Sequence, residues 1–150
     1  MFETGIEVSV PTTIIMAPTI FGIGTGPANK LSIQIPALIR RSLQYDQAVV
    51  VGDGAGEWDH IHIADLADLF EIVLEKVLSG EDSVPRGEEG LLFAETGRHT
   101  WLEISQGIAS TGHELKTLGI EGVRRVPLEE ATAWSANGSR QVRELGFASK

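Results

Sequence analysis

Two histidines and two aspartates fall close together between residues 58 and 67. His60 and His62 flank Ile61 in a stretch with an extended pattern, so both imidazoles are expected on the same face of a strand. With Asp59 and Asp65 nearby, the run His-x-His-x-x-Asp has side chains that bind cations or act as acid and base. A metal site needs a third or fourth ligand in fixed geometry, and the sequence offers none, so we expect no metal. The structural alternative is that these are strand-end histidines bonded to the backbone or to a helix cap.

Three glycines spaced two apart, Gly22, Gly24 and Gly26, superficially resemble a phosphate-binding loop. The dinucleotide fingerprint places its third glycine three positions after the second and opens a helix directly. Here the third glycine comes two positions later and is followed by Pro27. The pattern predicts either a loop beside a ligand pocket or a plain connection.

Other catalytic chemistries have no residues to carry them. The chain has no cysteine, which excludes disulfides, thiolate nucleophiles and thiolate metal ligands. No serine lies in a G-x-S-x-G elbow, so a hydrolase nucleophile is not indicated. We expect the two remaining histidines, His99 and His113, to be surface residues.

Composition limits the class of protein further. The chain has 150 residues, 42% of them hydrophobic, enough for one globular domain. Its net charge of −9 disfavours nucleic acid and anionic membranes as partners. No apolar run reaches the roughly 18 residues of a membrane span, and no secretory signal opens the chain. A cytoplasmic protein is therefore expected.

Strands and helices alternate along the chain, as is typical of an α/β fold with a mostly parallel sheet. Strands are predicted at residues 12–17, 48–51, 58–63, 91–94 and 123–126. A helix should begin at Pro36, and another, with a broad apolar stripe, should follow Asp65 as its N-cap. Thr100 and Glu103 form a capping box that opens a helix to about Thr111, and further helical turns are predicted at 127–134 and 139–145.

Two stretches taken together resemble the extended short-chain dehydrogenases/reductases, the NAD-dependent epimerase/dehydratase family. Residues 14–22, Ile-Ile-Met-Ala-Pro-Thr-Ile-Phe-Gly, resemble the family's R-P-x-x-[VI]-[YF]-G. Residues 58–67, Trp-Asp-His-Ile-His-Ile-Ala-Asp-Leu-Ala, resemble its D-[FY]-[VI]-H-V-x-D-[VL]-A. Their order and spacing agree with the family from about Thr12 to the end of the chain.

The resemblance implies a site at the meeting point of these two stretches, which should end side by side and form one rim of a pocket. It implies contacts with the nicotinamide end of NAD or NADP, mostly through the backbone, at Pro18, Thr19 and Ile20. It implies substrate contacts at Phe21, Trp58 and His60. Asp65 keeps its place as the structural cap of the following helix.

Two family motifs are absent from the sequence. There is no G-x-x-G-x-x-G, and Tyr45 is followed by Asp-Gln-Ala-Val rather than by the Y-x-x-x-K pattern. We therefore expect residues 1–150 to be a single partial domain, the C-terminal substrate-binding half of a Rossmann-like fold without its N-terminal dinucleotide-binding half. Such a chain should be inactive alone, and its expected partners are the missing half or a second copy.

The resemblance implies an oxidoreductase or epimerase acting on a carbonyl or alcohol of a small molecule. Trp58 stands where nucleotide-sugar enzymes of the family often carry arginine, so the substrate should not be a nucleotide sugar. Two other functions stay open from the residues. One is a non-enzymatic module for small-molecule binding or subunit association, and the other is a cofactor-independent isomerase that uses His60 and His62, with Asp59, as acid and base.

Overall fold

Strands and helices alternate through most of the chain in a computed structural model that describes residues 2–80 and 83–132. The elements are α1 (Phe2–Glu7), β1 (Ile14–Met16), β2 (Thr19–Phe21), α2 (Gln34–Tyr45), β3 (Gln47–Val51), β4 (Glu57–His62), α3 (Ile63–Leu78), β5 (Leu91–Phe93), β6 (Gly97–Thr100), α4 (Trp101–Glu114), β7 (Ile120–Val126) and α5 (Leu128–Thr132), with a 3₁₀ turn at Gly87–Glu89. The helical turns predicted at 139–145, and the end of those predicted at 127–134, lie outside the described residues.

The strand pairs confirm a mostly parallel α/β arrangement. In the described ranges β1 pairs with β5, β2 with β4 and β3 with β7, all parallel, while β4 and β6 are antiparallel. All five predicted strands exist, with shifted ends. β2 and β6 were not predicted, because each is short and lacks the β-branched run that marks the others.

Two predicted helix ends were wrong by a few residues. The helix α2 begins at Gln34, so Pro36 lies inside the first turn rather than at its start. Proline is tolerated there because the first backbone N–H groups of a helix have no intrahelical acceptor. The helix α4 continues past Thr111 to Glu114. Gly112 is buried within it because the side chain of Leu118 packs where a Cβ would stand.

The core of the described residues has two apolar clusters. The larger contains Leu38, the valines of β3, Trp101, Val126 and Ala131. The smaller contains Ile61, Leu66 and Ala94, with Ile15, Ile20 and Leu69 packed against it. The smaller cluster is the one that fixes the face of β4.

Two buried serines satisfy the backbone of β3. Val49 is fully buried, and its N–H donates to Ser42 Oγ at 3.3 Å while its carbonyl accepts from Ser105 Oγ at 2.8 Å. A residue in a strand directs its N–H and C=O to one side, so these bonds close the edge of β3 that faces away from β7. The helices α2 and α4 are thereby tied to the strand between them.

The predicted apolar stripe of α3 is only partly buried. Leu66 is buried and Leu69 packs on the smaller cluster, whereas Phe70, Leu74, Val77 and Leu78 stay exposed. The described residues supply apolar neighbours only to the first turns of this helix. None of the helices in residues 2–80 and 83–132 combines the length and apolarity that crossing a membrane requires.

We predict that Ser105→Ala destabilises the fold by about 1–3 kcal/mol, because the buried Val49 carbonyl loses a bond and gains no solvent. Ser42→Ala should cost a similar amount through the Val49 N–H. Chemical denaturation followed by circular dichroism measures both. Ser110→Ala, at an exposed position of the same helix α4, is the matched control and should change stability little. Equal midpoints for Ser105→Ala and Ser110→Ala would contradict this role.

Candidate functional site

The site residues are brought together by the pairing of β2 and β4. The parallel register places Thr19 beside His60 and Phe21 beside His62. The antiparallel pairing of β4 with β6 places Trp58 beside His99. Because side chains alternate along each strand, all of these project from one face of the sheet. We call this surface the histidine face; it comprises Thr19, Phe21, Trp58, His60, His62, Gly97 and His99.

Aromatic edge-to-face contacts connect the histidine face. The Phe21 ring lies 5.6 Å from His60 and 5.2 Å from His62, close to perpendicular to both. Trp58 lies 6.1 Å from Trp101, the first residue of α4. The expected closeness of the segment after Pro18 and the stretch reaching Asp65 is thus confirmed by the register and by these rings.

His62, rather than Asp65, caps the helix α3. Its Nδ1 accepts a hydrogen bond from the Ala64 N–H at 3.2 Å, while Asp65 lies in the first helical turn. The prediction of Asp65 as the N-cap was wrong by three positions, because histidine is not among the usual capping residues. The Asp65 carboxylate still lies at the positive end of the helix dipole. Gly22, with a φ of 99°, leaves the room that the His62 ring occupies.

His60 and His99 form a hydrogen-bonded pair. Their Nδ1 atoms are 2.9 Å apart and their rings tilt by 33°. The prediction of His99 as a surface residue was wrong, since it is only 6% exposed. The burial of His99 was missed because Gly-Arg-His-Thr shows no strand pattern. The capping box at Thr100 was the sequence signal that could have indicated this burial, because it fixes the next helix over this strand.

Burial lowers the pKa of His99, and the neighbouring His60 lowers it further. The carboxylates of Glu103 and Asp59 act in the opposite direction without reversing the result. His99 Nε2 is buried with no hydrogen-bond partner among the described residues, and the same holds for Thr19 Oγ1. The histidine face therefore includes two buried polar atoms whose bonding capacity is unused by the described chain.

Asp59 does not join the histidines. It projects from the opposite face of β4, where Arg98 Nε donates to its carboxylate at 2.6 Å. This hydrogen bond holds the pKa of Asp59 below its usual value, since it stabilises the ionised form. The acid–base set of His60, His62 and Asp59 is therefore not assembled. Within residues 2–80 and 83–132, no three His, Asp or Glu side chains are grouped as metal ligands.

The three residues implied in cofactor contact lie at the start of β2. Pro18 is half-buried between β1 and β2, and Thr19 is buried on the histidine face. Ile20 projects to the other face, where it packs on the smaller apolar cluster. Thr19 and Ile20 thus belong to the short strand β2, and Ile20 can reach the histidine face only through its backbone.

One family model and one named protein match the chain in sequence. The model of the NAD dependent epimerase/dehydratase family matches residues 5–84. The chain is 29% identical over 107 residues to "Oxidase ucsJ" of Acremonium sp. The aligned stretch covers 67% of this chain and 31% of that protein.

Solved structures share the fold at low sequence identity. They include a dTDP-glucose 4,6-dehydratase of Bacillus anthracis in complex with NAD (TM-score 0.56, 17% identity, 84% of this chain and 35% of that one). An epimerase of Methanothermobacter thermautotrophicus gives a TM-score of 0.57 at 18% identity, over 97% of this chain and 40% of that one. The UDP-glucose 4-epimerase of Thermus thermophilus gives a TM-score of 0.54 at 16% sequence identity, over 96% of this chain and 48% of that one. The chain thus spans less than half the length of each of these relatives.

One expectation from the sequence is overturned by these comparisons. The family match at residues 5–84 falls on the N-terminal Rossmann, NAD-binding part of that family, not on its C-terminal half. The prediction of a C-terminal substrate-binding half only was therefore wrong.

We predict that acid destabilises the fold partly through His99. Its pKa is lowered in the folded chain, so below about pH 6.5 the unfolded state binds the extra proton and stability is lost as the pH falls. Urea unfolding at about pH 7.5 and about pH 5.5, on either side of that ordinary histidine value, measures the loss. His99→Phe should reduce it, whereas His113→Phe, at an exposed histidine of α4, should not. An unchanged pH dependence in His99→Phe would contradict the assignment.

Proposed function

Because the chain belongs to the NAD-dependent epimerase/dehydratase family, we propose that it forms part of an NAD(P)-linked oxidoreductase or epimerase site acting on a carbonyl or alcohol carbon of a small molecule. The observation that carries the proposal is the β2–β4 register, which gathers Thr19, Phe21, Trp58 and His60 on one face. When bound, the nicotinamide supplies the hydride acceptor or donor.

The start of β2 has the features needed to hold the nicotinamide end. In the described part of the chain β2 pairs with β4 along one edge only, so backbone groups on its other edge can bond to a ligand. The buried Thr19 Oγ1, unpartnered among the described residues, offers one more hydrogen bond. A bound NAD in the Bacillus anthracis dehydratase supports the choice of cofactor. We assign Pro18, Thr19 and the backbone of Ile20 to this contact.

Phe21, Trp58 and His60 are proposed as the substrate wall. The wall is aromatic and half-buried, which suits a small organic molecule better than a diphosphate. The cation nearest in sequence to His99, Arg98, lies on the other face of the sheet and is engaged by Asp59. We therefore propose a substrate less charged than a nucleotide sugar.

The tyrosine of the family motif has no counterpart on this face. Tyr45, the one tyrosine of the chain, ends α2, and its hydroxyl donates to Glu130 at 2.7 Å. Its ring lies 4.6 Å beneath the guanidinium of Arg124. Tyr45 thus belongs to the surface around the larger apolar cluster and not to the histidine face.

We predict that Thr19→Val weakens NADH binding about tenfold, the effect of one lost hydrogen bond to a ligand. Valine keeps the shape of the side chain and removes an unpartnered hydroxyl, so thermal stability should hold or rise. Calorimetric titration of the full chain with NADH and NADPH measures the affinity.

Thr111→Val, the same substitution at an exposed position of α4, is the matched control and should bind as the wild type does. Wild-type chain that binds neither nucleotide would overturn the cofactor assignment. Equal affinities of the wild type and Thr19→Val would remove Thr19 from the site.

We further expect UDP-glucose to leave the thermal midpoint of the chain unchanged. Trp58 and the other aromatic groups of the wall supply no free cation for the diphosphate. Differential scanning fluorimetry over a concentration series tests this, with NADH as the positive comparison. A saturable rise with UDP-glucose would favour a nucleotide-sugar substrate.

A further inference from the structure

The His60–His99 contact is a further feature of the histidine face, and the family resemblance assigns it no role. Pairing of β4 with β6 sets Trp58 opposite His99 and His60 opposite Gly97, so the two imidazoles meet diagonally across the strands. Their Nδ1 atoms approach to 2.9 Å, which is hydrogen-bond distance. One ring must donate there and the other must accept.

This bond limits how many protons the two rings can hold. Two neutral imidazoles have one hydrogen between their Nδ1 atoms and one hydrogen on an outer Nε2, so the other Nε2 is bare. A first added proton goes to the bare Nε2 and leaves the bond intact. A second would place two N–H groups against each other, so the contact would break. While the rings stay bonded, the pair takes up one proton.

The two outer nitrogens differ in their access to a ligand. His99 Nε2 is buried and has no partner among the described residues. The His60 ring is half-buried, and its Nε2 edge lies over Gly97, where a Cβ would stand 2.8 Å away. Gly97 is not among the positive-φ residues of the described chain, so its backbone does not require glycine. Gly97 therefore leaves the room that the edge of the His60 ring occupies, and His60 Nε2, unlike His99 Nε2, is not among the buried unpartnered atoms of the described residues.

Proton exchange with a substrate requires one of the two tautomers. A substrate can reach the pair at the half-buried His60 rather than at the buried His99 Nε2, so the exchange requires the tautomer in which His60 Nε2 is the bare nitrogen. His60 then retains its Nδ1–H, which donates to His99 Nδ1, and presents a bare Nε2. His99 keeps its hydrogen on Nε2.

Charged groups on the surrounding elements act on the pair in both directions. Asp59 on β4 and Glu103 on α4 attract a proton toward the pair, and Arg98 on β6 offsets Asp59 across the sheet. His62, at the start of α3, is engaged by the Ala64 N–H. Burial outweighs these carboxylates and lowers the pKa of His99, which favours its neutral form.

We propose that His60 is the acid–base group of this site, exchanging a proton between its Nε2 and the substrate oxygen, and that His99 is the positioning residue that holds it in the required tautomer. The proposal rests on the function proposed above. In the oxidative direction the alcohol O–H bond breaks and its proton forms the His60 Nε2–H bond. The carbon would lose hydride to the oxidised nicotinamide of the proposed function and become a carbonyl, so the substrate would be oxidised and the cofactor reduced.

Nitrogen-15 NMR of the histidine rings in the full chain tests the pair without cofactor or substrate. At about pH 8, above the ordinary histidine value, we expect His60 to show a protonated Nδ1 and a bare Nε2, and His99 the reverse. As the pH falls, His99 should stay neutral below the ordinary histidine value, because burial lowers its pKa. A wild-type His60 protonated on Nε2 at this pH, or both rings charged together in a folded chain, would overturn the proposal.

Two substitutions separate positioning from packing. His99→Asn keeps a hydrogen-bond acceptor near the position of Nδ1, so His60 should retain its Nδ1–H tautomer. His99→Phe keeps a ring but no acceptor, so the proton of His60 should move to Nε2. His113→Phe, on the exposed side of α4, is the control and should leave His60 unchanged. An unchanged His60 in a folded His99→Phe variant would exclude His99 as the positioning residue.

NADH titration of the same variants separates this proposal from the proposed function. Retained NADH binding in His99→Phe, with a changed His60 tautomer, supports both. A wild-type chain that does not bind NADH overturns the proposed function and the substrate step with it, while the NMR result still decides whether the pair exists. NADH binding together with an unbonded pair overturns the present proposal alone.

Discussion

The parallel pairing of β2 with β4 is the interaction on which the site depends. It is short, three residues against three, so backbone bonds alone would define its register weakly. The register is set on the opposite face, where Ile20 and Ile61 pack with Leu66 and Ala94. A slip by one residue would turn Ile61 out of that cluster and His60 into it, exchanging an apolar contact for a buried imidazole. Apolar packing on one face therefore determines which polar groups meet on the other.

The helix α4 links this small sheet to the larger cluster. Thr100 ends β6 and caps α4, with Glu103 bonded to both its N–H and its hydroxyl. Those bonds hold the pKa of Glu103 below its usual value and fix the strand to the helix that follows it. Trp101 comes next, 1% exposed, packing into the larger cluster and against the His99 ring at 5.4 Å. The position of His99 is thus set by the cap and by the tryptophan.

The four histidines show how much of this the sequence could reveal. Alternation placed His60 and His62 on one face correctly, because that argument needs only local geometry. Alternation does not identify their partners: His62 accepts from the Ala64 N–H two residues on, His60 bonds His99 from a strand 39 residues away, and His113 bonds Glu121. The predicted strands and the capping box succeeded because they depend on neighbours in sequence. The prediction of His99 as a surface residue failed because tertiary contacts decide its burial. The prediction of Asp65 as the cap failed because His62 accepts from the Ala64 N–H instead.

Two buried polar atoms on the histidine face have no hydrogen-bond partner among the described residues. Each such atom without a bond costs about 1–3 kcal/mol, and Thr19 Oγ1 and His99 Nε2 lie on the same small sheet. A chain under selection for stability alone would replace Thr19 by valine, which keeps the shape and removes the cost. Retaining the hydroxyl is consistent with a ligand that uses it, whereas His99 is explained by the bond that its other nitrogen makes to His60. The histidine face thus combines the Thr19 hydroxyl, which a ligand can bond, with the His99 imidazole, which positions His60, as a site for binding and proton exchange requires.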